Sequence, residues 1–406
     1  MTLDDVATPR PPRAAGDGPG RLRIALYSHD AQGLGHTRRN LALASALGAL
    51  EPRPDVLLLT GAPEAAAFGR PPGCDVVGLP ALGKDPDGEY AARHLSADLA
   101  DLISLRSAIL SSTLRSFTPD LLIVDKHPRG VFGELEPALR VLWRGPTRVV
   151  LGLRDVLDAP SAAAADWERA RGTSALRRYY DAVWCYGDPT LSDPTADLGL
   201  PADLAARVTH TGYLVPDRGR SGAPAPMQTP FVLGLAGGGA DGARLAEAFV
   251  SAPLPAGVHG VFVTGPHMPP ARRRAVEALA AGRADMSVRE FAPDLAPWLE
   301  HASAVVSMGG YNTVCEALAG TAPLLVVPRV RPRAEQLVRA LRLAGAGLLD
   351  LLHPAALTPS GIGAWVGEAL ERPRRPRGGA DLEGLARIPE LARKLIDSPA
   401  FAPTAS

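Results

Sequence analysis

Two glycine-rich turns, Gly33–His36 and Gly237–Gly242, each sit between a short apolar strand and a helical pattern. In the first, Arg23-Ile-Ala-Leu-Tyr-Ser28 leads into Gly33-Leu-Gly35-His36, followed by Leu41, Leu43, Ala44 and Leu47. In the second, Phe231-Val-Leu-Gly-Leu235 leads into Gly237-Gly-Gly-Ala-Asp-Gly242, followed by Leu245, Ala248 and Phe249. A strand–loop–helix unit of this kind aims free backbone N–H groups and a positive dipole end at an anion. Two of them predict two α/β lobes with a charged ligand between. At 406 residues the chain is long for one core and comfortable for two.

The rest of the chain follows the same alternation. Strands are predicted at Leu22–Tyr27, Val56–Thr60, Asp75–Gly78, Leu121–Val124, Arg148–Leu153 and Ala182–Cys185, with helices over Arg38–Leu50, Ser96–Ser116 and Ala162–Tyr180. The second half repeats the pattern at Phe231–Leu235, Gly260–Thr264, Ser287–Arg289, Ala304–Val306, Leu324–Val327 and Gly347–Leu349. Short apolar strands separated by helices argue for doubly wound parallel sheets. The expected layout is an irregular lead-in over 1–20, a first Rossmann-like lobe over 21–215 and an aperiodic linker over 216–230. A second Rossmann-like lobe over 231–353 follows, then closing helices and a flexible tail over 354–406.

Several function classes recede. Lys+Arg 43 balances Asp+Glu 43, so nothing draws a nucleic acid. Cys74, Cys185 and Cys315 are odd in number and far apart, which speaks against a disulfide framework and for a reducing compartment. Residues 1–20 lack the apolar stretch of a signal peptide, and no apolar run reaches the ~18 residues of a membrane span. The expectation is a cytoplasmic protein that touches a membrane peripherally at most. Gly237–Gly242 matches the dinucleotide pattern G-x-G-x-x-G. However, no Asp or Glu occurs between Glu247 and Glu277 to hold a ribose, so the loop reads as an anion-binding or close-packing turn. Asp85-Pro-Asp87 has the spacing of a metal-holding D-x-D but lies in a Gly/Pro loop, where a turn is the better reading. No metal or cofactor is expected.

The most specific stretch is Ser307-Met-Gly-Gly310-Tyr-Asn-Thr313-Val-Cys-Glu316, followed by Gly320, Pro323, Pro328 and Glu335-Gln336. It reads as a strand, a tight turn at Gly309-Gly310, and a helix starting near Asn312 or Thr313. A phosphate at that turn meets bare amides and the Thr313 hydroxyl. Glu316, one turn further in, can accept from a ribose diol, and Glu335 with Gln336 can read sugar hydroxyls.

This constellation resembles the donor half of GT-B glycosyltransferases, most closely family 28, typified by the peptidoglycan GlcNAc-transferase. The family's Gly-x-x-Thr-x-x-Glu corresponds to Gly310, Thr313 and Glu316, its Gly-x-Pro and next Pro to Gly320–Pro323 and Pro328, and its Gln-containing helix start to Gln336. Gly238-Gly239-Ala-Asp-Gly242 resembles the family's Gly-Gly-Ser-x-Gly loop, and Glu290-Phe291-Ala292 the loop whose backbone meets uracil. Gly33-Leu-Gly35-His36 resembles the acceptor-facing loop. Val124-Asp-Lys-His-Pro-Arg-Gly130 and Leu153-Arg-Asp-Val156 look like a group of bacterial proteins described as predicted glycosyltransferases. The resemblance implies a two-lobed GT-B fold, a nucleoside diphosphate sugar (a UDP-sugar) as co-substrate, and inverting, metal-independent transfer to an acceptor hydroxyl. Glu335 replaces the first Gln of the family's Gln-Gln pair and Arg339 an Asn, so hexose and N-acetylhexosamine both stay open.

For chemistry, transfer to a hydroxyl needs a base beside the acceptor and stabilisation of a departing diphosphate. His36 is the leading base, on a glycine loop at a helix start. Asp125 and His127 follow one strand, Arg154 and Asp155 another, at carboxyl ends where α/β ligands gather. Asp155 is read as orienting His36 or as a base itself, or as half of a loop ion pair. Gly33, Gly35 and Arg39 complete the acceptor side. Two rivals share the fold: a nucleotide-sugar hydrolase or epimerase, and a non-catalytic sugar-nucleotide-binding protein.

Overall fold

The computed structural model describes residues 20–398 apart from 31–34, 64, 66, 67, 85–89, 217–223, 293 and 375–377. Gly33 and Asp85-Pro-Asp87 lie outside the described residues. The first lobe is a seven-stranded parallel sheet in the order β3-β2-β1-β6-β7-β8-β9. Its strands are β1 Arg23–Ser28, β2 Asp55–Thr60, β3 Cys74–Gly78, β6 Leu121–Asp125, β7 Arg148–Arg154, β8 Ala182–Tyr186 and β9 Val208–His210. A small antiparallel hairpin, β4 Leu82–Lys84 with β5 Tyr90–Ala92, stands apart. The second lobe is a six-stranded parallel sheet in the order β12-β11-β10-β13-β14-β15. Those strands are β10 Phe231–Leu235, β11 His259–Val263, β12 Met286–Arg289, β13 Ala304–Ser307, β14 Leu324–Val326 and β15 Asp350–Leu351.

The central strands β6 and β10 are buried along their whole length because helices cover both faces, and all but the terminal Asp125 of β6 are apolar or glycine. Each sheet therefore has two cores, one per face. Strand order reverses between β1 and β6 in the first lobe and between β10 and β13 in the second. In an open α/β sheet the crevice beyond such a reversal is where ligands bind. The described end of the first glycine turn, Gly35-His36, and the second turn, Gly237–Gly242, follow strands β1 and β10 at these two points.

The closing segment ties the lobes together. The helix Pro359–Glu371 buries Ile362, Val366 and Ala369 in the second lobe's core. The next, Gly384–Asp397, crosses back and buries Leu385, Ile388 and Ala392 with Leu41, Leu43 and Leu47 of the first lobe. Three expectations shift. The helix predicted over 162–180 is two helices, Pro160–Arg169 and Gly172–Tyr179, broken where Arg171 takes a left-handed φ of 48°. The last strand lies at Asp350–Leu351, not 347–349, because Gly347 turns the chain before it can enter the sheet. Helix Glu136–Leu142 and strand β9 were not anticipated; both are short and weakly periodic.

Candidate active site

The carboxyl end of β1 and the start of the helix Gly35–Leu47 bring His36 over the end of β6, where Asp125 closes the strand. His36 Nδ1 lies 2.7 Å from Asp125 Oδ2. Arg39, one helical turn on, donates its NH2 to the same oxygen. Arg39 NH2 is also 2.9 Å from His36 Nδ1, because both donors converge on Oδ2. A carboxylate can only accept, so Nδ1 donates to Asp125 and Nε2 is the ring nitrogen left for other partners. Burial alone would raise the Asp125 pKa, but Arg39 and His36 outweigh it and hold the carboxyl well below its ordinary range. His36 is thus an oriented imidazole, 14% exposed, backed by a fixed anion. His29 and His127 pack around it, with ring centroids 5.1 Å (His29 to His36) and 4.5 Å (His29 to His127) apart. Burial and the neighbouring positive groups push both of their pKa values well down, so they are neutral.

Across the crevice, Ser307 ends β13 and the chain turns through Gly309 and Gly310 into the helix Tyr311–Leu318. Gly310 is the N-cap, with φ −62°, ψ 144° and no side-chain cap, so the first amides of the helix have no intrahelical partner. A Cβ built on Gly310 meets nothing within 4 Å, so the cap position itself is open. Thr313 is buried one turn in. Gly239 in the other glycine loop differs: it has φ +94°, and a Cβ there would come within 2.2 Å of Thr264 O. Close packing therefore requires that glycine. Phe291 is exposed and meets Phe68 of the first lobe edge-on at 6.3 Å. Ala292 beside it is buried.

The lobes are joined by charged contacts that pass through the site. Arg339 grips Asp155 in a fork, NH2 to Oδ1 at 2.7 Å and Nε to Oδ2 at 2.8 Å, with NH1 donating to Gly309 O at 3.2 Å. Asp155 therefore does not orient His36; that place belongs to Asp125, and Asp155 is the anchor of an interlobe clamp. Glu316 pairs with Arg38 at 2.7 Å, and Asn312 Nδ2 donates to Gly35 O at 2.9 Å. Glu335 is buried and pairs with Arg329, while Gln336 Oε1 accepts from Arg329 N at 2.8 Å. Through Arg329 these two residues shape the loop after β14. Tyr311 lies between Arg39 and Arg339, whose guanidinium carbons stand 5.6 Å and 5.7 Å from its ring centroid.

Sequence reasoning missed Lys126, Arg38 and Arg333. Lys126 sits between Asp125 and His127 in the left-handed region, φ 69°. Its rarity was the available signal, since the chain has only Lys84, Lys126 and Lys394. Arg333 pairs with Asp158, NH1 to Oδ2 at 2.8 Å, and with Asp166, closing another interlobe bridge. Among the described residues no group of three or more His, Cys, Asp or Glu is placed to hold a metal ion, and no helix is long and apolar enough to cross a membrane.

Known proteins agree with this architecture. Residues 244–380 match the glycosyltransferase family 28 C-terminal domain. A protein of Methanosarcina acetivorans described as an uncharacterized glycosyltransferase is 24% identical over 321 residues, covering 73% of this chain and 77% of its own length. MurG of Acinetobacter baumannii superposes with a TM-score of 0.52 at 17% identity, covering 92% of this chain and 95% of its own. MnaA of S. aureus, in a co-structure with UDP, superposes with a TM-score of 0.60 at 11% identity, covering 91% and 94%. At these identities the structural likeness speaks for the fold. Two facing Rossmann-like lobes define the GT-B architecture, and this chain has that fold.

Proposed function

We propose that this glycosyltransferase moves a sugar from a nucleoside diphosphate sugar, a UDP-sugar, to an acceptor hydroxyl, with inversion and without a metal ion, in the cytoplasm. The observation that carries the reading is the His36–Asp125 dyad facing the uncapped start of the helix Tyr311–Leu318 across one crevice. His36 Nε2 takes the acceptor's proton and the acceptor oxygen forms its bond to the anomeric carbon. The bond from that carbon to the diphosphate oxygen breaks on the opposite face, and a single displacement of this kind inverts the centre. Asp125 stabilises the imidazolium that results. The departing diphosphate gathers negative charge, which the free amides at Gly310–Thr313 and the helix dipole meet without a cation. Glu316 would take the ribose hydroxyls on release from Arg38, and the Phe291-Ala292 loop the base. Free Cys74, Cys185 and Cys315 support a reducing compartment.

The test is incubation of the purified chain with a panel of NDP-sugars, with EDTA present, following NDP release and nucleotide-induced thermal shift. UDP stabilisation together with acceptor-dependent UDP release is the expected result. Release of free sugar and UDP regardless of acceptor would turn the assignment to a hydrolase.

A further inference from the structure

Neither Tyr311 nor Asn312 belongs to the donor pattern of Gly310, Thr313 and Glu316, yet both reach from the first turn of that helix into the first lobe. Asn312 Nδ2 donates to Gly35 O at 2.9 Å, and Gly35 directly precedes His36. Glycine has more backbone freedom to lose than any other residue, so the backbone that carries the base gains most from an outside hold. Asn312 supplies it. Tyr311, 4% exposed, reaches the other half of the dyad. Its ring centroid lies 5.6 Å from the guanidinium carbon of Arg39, which donates to the same Asp125 Oδ2 as His36. Arg39 Nε is buried without a partner among the described residues, so the Asp125 carboxylate and the ring face carry its orientation. The ring is held in turn. Leu214 N donates to Tyr311 Oη at 3.1 Å, and Tyr213 packs on it with centroids 6.1 Å apart. Leu214 also bridges Glu383, where the chain leaving the first lobe and the chain returning to it run side by side. Tyr311 is therefore fixed at the joint between the lobes.

We propose that Tyr311 and Asn312 are positioning residues of the sugar transfer: from the donor helix they set the His36–Asp125 dyad of the opposite lobe. The inference rests on the reading of His36 as the base. Asn312 fixes the backbone at His36, and Tyr311 fixes Arg39, which shares Asp125 Oδ2 with the imidazole. The amides of the same helical turn meet the diphosphate, so base and leaving group are referenced to one element and not to two separate lobes. Both side chains act through other residues, so they govern turnover and not donor affinity. A base displaced by about 1 Å loses roughly 10²-fold in rate.

The experiment uses the full chain, with UDP release from a UDP-sugar as the assay and UDP titrated calorimetrically. Asn312→Ala and Tyr311→Leu should each lower turnover at least tenfold and change UDP affinity less than threefold. Tyr311→Phe keeps the ring over Arg39 and should recover most of what Tyr311→Leu loses. In a His36→Ala background the same substitutions should cost less than threefold further, because a missing base cannot be misplaced; a purely structural role would lower both backgrounds alike. A second readout needs no turnover. The nitrogen NMR spectrum of the imidazoles at about pH 8.5, where they are neutral, shows which ring nitrogen carries the proton, and the signals that His36→Ala removes belong to His36. Wild type should hold the proton on Nδ1, whereas Asn312→Ala and Tyr311→Leu should give mixed tautomers. A His36 spectrum unchanged in both variants, or already mixed in wild type, overturns the proposal. So do turnover losses of equal size in the two backgrounds. If wild type releases no UDP, or His36→Ala releases it as fast, while the tautomers still respond to Asn312→Ala, the base reading falls and the positioning of the imidazole stands.

Discussion

The Arg339–Asp155 clamp is 1% and 0% exposed on its two sides and joins helix Glu335–Gly345 of the second lobe to the end of β7 in the first. Asp155→Asn keeps the shape but removes the charge, leaving a guanidinium buried with only Gly309 O and, at 3.5 Å, Val156 O. Stranding one partner of a buried pair costs about 3–5 kcal/mol. An asparagine oxygen still accepts one hydrogen bond, which offsets about 1 kcal/mol and leaves a loss of roughly 2–4 kcal/mol. Asp155→Leu combined with Arg339→Met removes both charges, and such replacements come out near neutral or better. Asp155→Leu or Arg339→Met alone strands the partner's charge, so the double variant should regain most of either loss, giving a coupling energy of about 2 kcal/mol or more across the cycle of wild type, Asp155→Leu, Arg339→Met and the double. Urea unfolding followed by tryptophan fluorescence and by circular dichroism measures each corner. If Asp155→Asn costs less than about 1 kcal/mol, or the double variant is no more stable than Asp155→Asn, the clamp does not hold the lobes as described.

Two further outcomes follow from the same geometry. His36→Ala should lower turnover about 10²–10⁴-fold while UDP affinity stays within about twofold, read from UDP release and calorimetry. Arg38→Ala frees Glu316 from its ion pair, and UDP should bind about two- to fivefold tighter if Glu316 takes the ribose, at the scale of a part-exposed pair.

Much of the fold was legible because strands buried on both faces leave an unbroken apolar run. Leu121–Val124 and Phe231–Leu235 announce themselves in that way. The donor turn was legible for a related reason: Gly309-Gly310 followed by Thr313 and Glu316 is local, and one strand–turn–helix unit holds it all. Pairing across the sheet was not. Asp125 and Asp155 both end strands, and only the strand order, which sets β6 next to β1 and β7 one place further, gives His36 to Asp125. The interlobe contacts were equally hidden. Arg38 with Glu316 and Arg339 with Asp155 are separated by 278 and 184 positions, and no periodicity encodes such a distance. Lys126 escaped because a single lysine carries no pattern.

The donor cradle is tested most directly by titrating UDP into the wild-type chain and into Gly310→Asp. The backbone at 310 accepts aspartate, an N-cap residue, and open space surrounds its Cβ. The variant should be as stable as wild type or better by a few tenths of a kcal/mol, because its carboxylate caps the helix. That same carboxylate occupies the diphosphate's place and repels it, so wild type should bind UDP and Gly310→Asp should lose at least about thirtyfold in affinity. Equal UDP affinity in the two proteins, or no UDP binding by the wild type, would contradict the account.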